Sequence, residues 1–237
     1  MNKENLPYFK IKDKEKETAR FFSRKFKARI REKIPQHYLV EAVPLKTLQY
    51  IKENSKKYPY FLCFDIKTYY PSIDHHKLLK ETEKNYKRIA KKECSRRFKQ
   101  QLKKNVPSFL SRSPYNKGLP LGSPLSHILS AIFLLNLDLK LNKSVKFLRF
   151  ADDYLLFCKK KKDPQRILKE LIVPELERLS LEINEKKLSS GKFHQDKVEF
   201  IGFVFHRGHF YIKEKKTEEF EKRISKATYL TKKKPLE

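Results

Sequence analysis

The chain has no tryptophan, one methionine and only five glycines among its 237 residues. Its three cysteines, Cys63, Cys94 and Cys158, form no CxxC pair, and their odd number argues against both a disulfide framework and a cysteine zinc site. No apolar run approaches the roughly 20 residues that a transmembrane helix needs, and no signal peptide is visible. We therefore expect a cytoplasmic protein in which Cys63 and Cys158 are small core residues.

Acidic residues are also scarce, with 28 Asp and Glu against 56 Lys and Arg, for a formal net charge of +28. Such an excess predicts a polyanionic partner. The segment 75–105 carries twelve Lys and Arg against three Glu, which predicts one or two helices with a basic face. That face suits a phosphate backbone better than a membrane, because no amphipathic anchor accompanies it. The candidate nucleic-acid contacts on it are Lys84, Lys87, Lys91 and Arg97.

Two adjacent carboxylates, Asp152 and Asp153, stand between the β-prone runs 145–149 and 154–158. This pattern predicts the tight turn of a hairpin. Adjacent acids repel each other, and a pair of divalent metal ions is the usual reason for a fold to keep them together. The alternative interpretation is an ordinary solvated turn, where Asp is common.

Two further segments support the chemical interpretation. The apolar run 61–66 contains a single carboxylate near its end, Asp65, and a buried strand places a metal ligand rigidly. The Gly- and Pro-containing loop 117–126 runs into an apolar helix, with Ser123 suited to the N-cap and Pro124 to the first helical position.

Together these blocks resemble the polymerase motifs of reverse transcriptases. The similar blocks are 65–74 (DIKTYYPSID) for motif A, 118–126 (GLPLGSPLS) for motif B, 150–153 (FADD) for motif C, 181–187 (LEINEKK) for motif D and 200–203 (FIGF) for motif E. They stand in the family's order over about residues 60 to 205. The blocks are most similar to those of bacterial enzymes: group II intron, retron and phage-defence-associated reverse transcriptases.

The resemblance implies an α+β fold, a right-hand polymerase palm with reduced fingers and a short thumb. The implied domains are a fingers or N-terminal region at 1–60, a palm at 61–205 that includes a basic helical part at 75–117, and a short thumb or C-terminal helix at 206–237.

Hydrophobic spacing gives the individual elements. The spacing of Phe22, Phe26, Ile30 and Ile34 favours a helix, although the alternation of basic and apolar residues over 25–31 also fits a strand. In chain order the later elements are a strand at 38–43, a helix at 45–57, a strand at 61–66, helices over most of 75–104, a helix at 124–142, a hairpin at 146–158, a helix at 164–180 interrupted near Pro174, a hairpin of 198–205 with 209–212, and a basic helix at 214–231.

Nucleotidyl transfer needs two metal ions held by carboxylates from one side, and Asp65 and Asp152, assisted by Asp153, are the candidate ligands. The resemblance implies the same assignment for two Mg²⁺ ions and adds the carbonyl of Ile66. It also implies that Tyr70 is the steric gate that favours dNTPs over rNTPs. Lys187 would lie near the leaving pyrophosphate as a cation or an acid.

The resemblance further implies a pocket for nucleotide and template, shaped by Gly118, Leu121, Gly122 and Ser123, and nucleic-acid contacts at Phe200 and Gly202. Three features depart from the family. Leu121 stands where Gln is usual, the segment 38–44 lacks the usual triphosphate-gripping Arg, and about thirty residues follow Phe205. Lys27, Arg29 or Arg31 is a candidate substitute for that Arg.

The sequence therefore predicts an RNA-directed DNA polymerase that adds dNTPs to a DNA or RNA primer. A dedicated structured RNA, in a retron or anti-phage defence system, is the expected template, and a protein that completes the cleft is a further candidate partner. One alternative is untemplated or protein-primed DNA synthesis. Another is a non-catalytic RNA-binding subunit on a polymerase scaffold. A viral-type RNA polymerase is less expected, because Tyr70 is bulky.

Overall fold

The computed structural model describes residues 13–33, 44–90, 95–113 and 116–212, with backbone alone at 27–33, 44–45 and 89–90. Its α-helices are α1 Asp13–Lys33, α2 Pro44–Lys57, α3 Tyr69–Ser72, α4 His75–Ala90, α5 Arg96–Gln100, α6 Val106–Leu110, α7 Pro124–Phe133, α8 Leu135–Ser144, α9 Asp163–Ile167 and α10 Val173–Arg178. Its strands are β1 Tyr60–Phe64, β2 Lys146–Phe150, β3 Asp153–Cys158, β4 Ser189–Lys192, β5 Val198–Phe200, β6 Phe203–His206 and β7 His209–Ile212. The mixture of helices and strands confirms the predicted α+β class.

The central sheet has four strands in the order β2-β3-β1-β4, and each neighbouring pair is antiparallel. Strand β1 lies inside it, so four of its five residues are buried, as its apolar sequence predicts. The predicted hairpin at 146–158 is formed by β2 and β3.

A second sheet of three strands, β5-β6-β7, follows the first. The predicted continuous strand at 198–205 is wrong, because a tight turn divides it. Ile201 and Gly202 have φ angles of 46° and 85° there, and Arg207 and Gly208 have 50° and 84° in the next turn. Two successive positive φ values are typical of two-residue hairpin turns, and glycine adopts them without strain.

Helices pack on the central sheet through a large aromatic core. Phe22 and Phe26, four residues apart on α1, are buried and pack against Phe98. Tyr86 of α4 stacks on the same Phe98 ring, with 3.8 Å between the ring centroids. The helix predicted from the spacing of Phe22 and Phe26 is therefore confirmed.

The predicted helix at 124–142 is broken at Leu134, where α7 and α8 meet at an angle of 47°. No described helix alone is long and apolar enough to cross a membrane, and this bent pair is the one combination that reaches the required length. The interruption expected near Pro174 is a single widened turn, Leu168–Ile172, within a helical run. A similar turn, Gln101–Asn105, precedes Pro107. Proline lacks the N–H that a regular helix needs, and a widened turn accommodates that loss.

Three predictions lie outside the described residues: the strand at 38–43, the contact at Lys91 and the helix at 214–231. The side chains of Lys27, Arg29 and Arg31, the candidate substitutes for the triphosphate-gripping Arg, also lie outside them. Cys63 and Cys158 are buried free thiols, which confirms their place in the core.

A buried carboxylate connects α8 to α10. The Glu175 side chain is 1% exposed and accepts hydrogen bonds from Asn136, Lys140 and Arg178, at 2.5, 2.6 and 2.6 Å. Burial alone would raise its pKa, but the hydrogen bonds from Arg178, Lys140 and Asn136 outweigh burial and lower the pKa to about 2. The charged form of Glu175 therefore stabilises the fold.

Glu175→Gln is expected to lower the free energy of unfolding at neutral pH by up to roughly 3 kcal/mol, from 1.36 kcal/mol per pKa unit. Because the folded pKa is depressed, this contribution is complete above the unfolded pKa of about 4.5 and is lost as pH falls through about 2. Urea unfolding of both proteins across this window measures the change. Glu170→Gln is the control, since the Glu170 side chain is 65% exposed. A difference between wild type and Glu175→Gln that is independent of pH would contradict the assignment.

Candidate active site

The pairing of β1 with β3 brings the predicted carboxylates together. The register places Phe64 opposite Tyr154, so the next position, Asp65, lies opposite Asp153. Asp152 occupies the turn between β2 and β3, one residue before Asp153. Two segments separated by more than eighty residues thus deliver three carboxylates to one end of the sheet.

These carboxylates perturb one another. Burial, followed by the contact of its side chain with Asp65, raises the pKa of Asp153 to about 7. Burial also raises the pKa of Asp152, and the charge of Asp65 adds to that increase. Mutual repulsion of this kind costs folding free energy until a cation lies among the acids.

One cation of the chain already lies there. Lys187 Nζ is 2.5 Å from Asp65 Oδ2, and Asn184 Nδ2 donates to Asp65 Oδ1 at 3.2 Å. The segment that carries both residues pairs with the start of motif A, since the Asn184 N–H donates to the Asp65 carbonyl at 2.8 Å. Sequence reasoning named Lys187 and missed Asn184, although Asn184 stands in the block that resembles motif D.

Mg²⁺ requires oxygen ligands, and the carboxylates at this end of the sheet supply them. Within the residues that the structure describes, no three or more His, Cys, Asp and Glu side chains form a ready-made metal site. The chemistry nevertheless fits, because carboxylate oxygens are the ligands of hard divalent cations and these carboxylates repel one another. Around Ile66, two backbone hydrogen bonds to the segment 182–184 are formed by the Asp65 carbonyl and the Lys67 N–H. The Ile66 carbonyl takes part in neither of these bonds.

The turn that carries Asp152 is held by a buried arginine that sequence reasoning missed. Ala151 has a φ of 54°, a left-handed conformation that costs a non-glycine residue about 1 kcal/mol. Arg149 Nη1 donates to the Ala151 carbonyl at 3.1 Å, and its Nη2 lies 2.9 Å from Asp138 Oδ2. The Tyr154 hydroxyl donates to the other oxygen of Asp138 at 2.9 Å. An Arg within an apolar strand, directly before the FADD block, is the signal that could have revealed this contact.

The bend at Leu134 supplies acceptors for the same region. The last four carbonyls of a helix lack partners within it, and here three are used by side chains from other elements. The Tyr69 hydroxyl donates to the Ser130 carbonyl at 2.6 Å, Arg149 to that of Ala131 at 3.3 Å, and Asn85 to that of Ile132 at 3.0 Å. Motifs A and C are therefore attached to the end of the motif B helix.

Tyr70 lies beside this junction. It is partly buried, its hydroxyl is hydrogen-bonded to Ser130 Oγ at 3.1 Å, and its ring meets Tyr69 edge-on with 5.7 Å between centroids. The Leu119 N–H donates to the Tyr70 carbonyl at 3.0 Å, so the motif B loop rests on the segment that carries this ring. A Cβ on Gly118 would lie 3.3 Å from Pro71 backbone atoms, and its φ of +84° also requires glycine.

The other predicted loop residues begin α7. Ser123 is the N-cap, with its Oγ accepting from the Leu125 N–H at 3.2 Å, as predicted. Gly122 has a φ of +80° and open space where a side chain would stand. Leu121 is 53% exposed. The tip of this loop is therefore accessible to a ligand.

The predicted basic face is partly neutralised by its own helix. Lys84 lies 3.9 Å from Glu81 Oε1, and Lys87 lies 3.2 Å from Glu83 Oε1. The Arg97 guanidinium lies over the ring of Phe21, 5.5 Å from its centroid.

The aromatic ring of Phe200, a predicted nucleic-acid contact, is buried. That ring is 5% exposed and packs in the cluster between the two sheets, because alternate positions of β5 face this core. Gly202, in the turn after β5, is partly accessible, as are its neighbours Ile201 and Phe203.

Comparisons with known proteins agree with this arrangement. A family model described as Reverse transcriptase (RNA-dependent DNA polymerase) matches residues 6–205. Apo telomerase from Candida tropicalis, truncated from its C-terminal domain, superposes with a TM-score of 0.65 at 16% identity, over 83% of this chain and 45% of that one. Telomerase from Candida albicans, in complex with a TWJ fragment of telomeric RNA, gives 0.60 at 14% identity, over 80% and 36%.

The chain thus spans less than half of the length of these structures, and the likeness confirms the right-hand polymerase palm. None of the curated proteins matches the chain significantly in sequence.

Arg149→Lys is expected to lower the free energy of unfolding by about 1–3 kcal/mol, because lysine keeps the charge beside Asp138 but cannot make the separate bonds to two carbonyls. Urea unfolding measures the loss. The control is Arg166→Lys, whose side chain is 48% exposed and pairs with Asp163 and Glu170. Equal effects of the two substitutions would show that Arg149 does not hold the turn.

Proposed function

Because the chain belongs to the reverse transcriptase family, we propose that it is an RNA-directed DNA polymerase that adds dNTPs to a primer. The observation that carries the proposal is the meeting of Asp65, Asp152 and Asp153 at one end of the central sheet. A scaffold that only binds RNA has no need for three mutually repelling carboxylates, which cost it stability.

The reaction joins a primer 3′-hydroxyl to the α-phosphate of a dNTP and releases pyrophosphate. Two Mg²⁺ ions, held by Asp65, Asp152, Asp153 and the Ile66 carbonyl, would supply charge neutralisation at the phosphates and activation of the hydroxyl. The hydrogen bond from Asn184 Nδ2 orients the Oδ1 atom of Asp65. Lys187, whose ammonium group already lies among the acids, would offer its charge or a proton to the leaving pyrophosphate.

Sugar selection is assigned to Tyr70. Its ring is fixed by the edge-on contact with Tyr69 and by the hydrogen bond to Ser130. A fixed ring beneath the sugar leaves no room for a 2′-hydroxyl, so discrimination is steric. The open backbone at Gly122 and the exposed Leu121 would meet the nucleotide and template on the opposite side.

A dedicated structured RNA is the proposed template. The net charge of +28 supports a nucleic-acid partner, and one of the similar structures, the Candida albicans telomerase, holds a fragment of telomeric RNA. We place the enzyme in the cytoplasm, in a bacterial retron or anti-phage defence system. Sequencing the RNA that copurifies with the protein, and then adding dNTPs and Mg²⁺, tests this assignment directly.

Asp152→Asn is expected to abolish dNTP incorporation on a primed RNA while the free energy of unfolding stays the same or rises, because one repelling charge is removed. Incorporation and urea unfolding are measured on the same preparation. Asp13→Asn, at a side chain that is 97% exposed on α1, is the control and keeps its activity. Synthesis at the wild-type level by Asp152→Asn would refute the carboxylate assignment.

Tyr70→Ala is expected to lower the ratio of dNTP to rNTP kcat/KM by roughly ten- to a hundredfold, since each 1.36 kcal/mol is tenfold in rate. Tyr70→Phe keeps the ring and removes the hydroxyl that contacts Ser130, so its ratio should stay near the wild-type value. If Tyr70→Phe lowers the ratio of dNTP to rNTP kcat/KM as far as Tyr70→Ala does, the hydrogen bond and not the ring sets the selectivity. A wild type that prefers rNTPs would overturn the reverse transcriptase assignment.

A further inference from the structure

Seven lysines gather at the end of the central sheet that lies opposite the carboxylates. Strand β1 begins at Tyr60, which pairs with Cys158 at the end of β3, while β2 begins at Lys146. The residues just outside these strand ends therefore lie near one another. The Tyr58 lysine patch, as we name it, consists of Lys56, Lys57, Lys146, Lys159, Lys160, Lys161 and Lys162.

Tyr58 is the centre of the patch. Lys146 Nζ lies 5.9 Å and Lys159 Nζ 5.8 Å from the centroid of its ring, so two ammonium groups share one aromatic side chain. All seven lysines are exposed. Attraction to the ring quadrupole at exposed sites is worth only about 0.5–1 kcal/mol, which does not neutralise the charge.

The patch lacks acidic partners within the part of the chain that the structure describes. None of its seven lysines forms an ion pair there. The nearest acid in sequence, Asp163, accepts from the Lys160 N–H at 2.9 Å and lies 3.6 Å from Arg166. By contrast, Lys84 and Lys87 on α4 have glutamate partners. The Tyr58 lysine patch is thus a concentrated positive charge that its own fold leaves uncompensated.

We propose that the Tyr58 lysine patch binds the phosphate backbone of the template RNA outside the primed region, an inference that rests on the proposed function. From Tyr58 to Asp65 is seven residues of nearly extended chain, or roughly 20 Å at about 3.3 Å per residue. At about 3.4 Å per nucleotide, RNA that reaches the patch must extend at least about six nucleotides beyond the catalytic end. The patch therefore holds a flanking part of the RNA and acts without reading its sequence.

RNA suits the patch better than a membrane surface does. Membrane-binding surfaces combine basic residues with large apolar side chains that enter the lipid. The exposed large apolar side chains of the described residues are Leu121, Phe150, Tyr211 and Ile212, and none belongs to the patch. Lysines around a single aromatic ring match instead the combination of charge and stacking that binds RNA backbones and unpaired bases.

The test compares two variants of equal charge. The patch variant changes Lys159, Lys160, Lys161 and Lys162 to Gln, and the control changes four scattered exposed lysines, Lys14, Lys80, Lys169 and Lys197, to Gln. Binding is measured without dNTPs, across a salt series, on a short primed RNA and on the same RNA with a single-stranded extension of about 20 nucleotides. Thermal unfolding checks that both variants fold.

For the extended RNA, the slope of log affinity against log salt should fall in magnitude by roughly 2–3 in the patch variant, at about 0.7 per phosphate contact on single strands. The short RNA should show no larger change in the patch variant than in the control. An unchanged slope on the extended RNA, or an equal loss on both RNAs, overturns the proposal. A selective loss of binding to vesicles of anionic lipid, with RNA binding intact, overturns it in favour of a membrane.

RNA binding by the patch can be tested separately from the proposed function. RNA binding by the patch does not require the carboxylates, so Asp152→Asn should retain the full salt slope on the extended RNA even though it incorporates no dNTP. The wild-type protein could fail to incorporate dNTPs while the patch variant still shows the smaller salt slope on the extended RNA. That result would refute the proposed polymerase activity and support the RNA-binding surface.

Discussion

The antiparallel pairing of β1 with β3 is the constraint on which the rest of the structure depends. It sets Asp65 opposite Asp153, so the fold must hold like charges in contact. Burial raises the free-energy cost of holding these charges together, because a buried carboxylate resists ionisation. Lys187 and Asn184 reduce this cost by holding the two oxygens of Asp65, and both come from a segment that pairs with the start of motif A. The site is thus arranged for added positive charge before any substrate arrives.

The bend between α7 and α8 gives the site its rigid support. The carbonyls of Ser130, Ala131 and Ile132 lie at the end of α7 and accept hydrogen bonds from Tyr69, Arg149 and Asn85. The Ser130 carbonyl also keeps a helical bond from the Leu134 N–H at 3.4 Å. Arg149 also holds the strained turn at Ala151 and pairs with buried Asp138. Removing one member of a buried ion pair leaves the other charge uncompensated, which commonly costs 3–5 kcal/mol. Motifs A, B and C are therefore positioned by one polar junction.

The sequence predicts what is local and misses what depends on distant partners. The strand before Asp65, the hairpin around Asp152 and the N-cap at Ser123 follow from short patterns, and the structure contains each of them. Asp138 and Ser130 have no signal of their own, because their roles depend on contacts made by tertiary packing, and Arg149 is marked only by its place within an apolar strand. The burial of the Phe200 ring could not be predicted for the same reason, since a motif does not show which face of its strand is buried. The break at Leu134 was missed because the apolar spacing continues through it.

The two ends of the central sheet carry opposite kinds of charged side chain. The carboxylates at one end are met by Lys187, while the lysines around Tyr58 at the other end have no acidic partner among the described residues. At 0.15 M salt the Debye length is about 8 Å, so two ends roughly 20 Å apart hardly influence each other. The lysines therefore do not stabilise the carboxylates at the opposite end of the sheet. Their positive charge acts locally, on a polyanion bound beside Tyr58. A nucleic acid long enough to contact both ends of the sheet is the ligand that would bind along the whole palm.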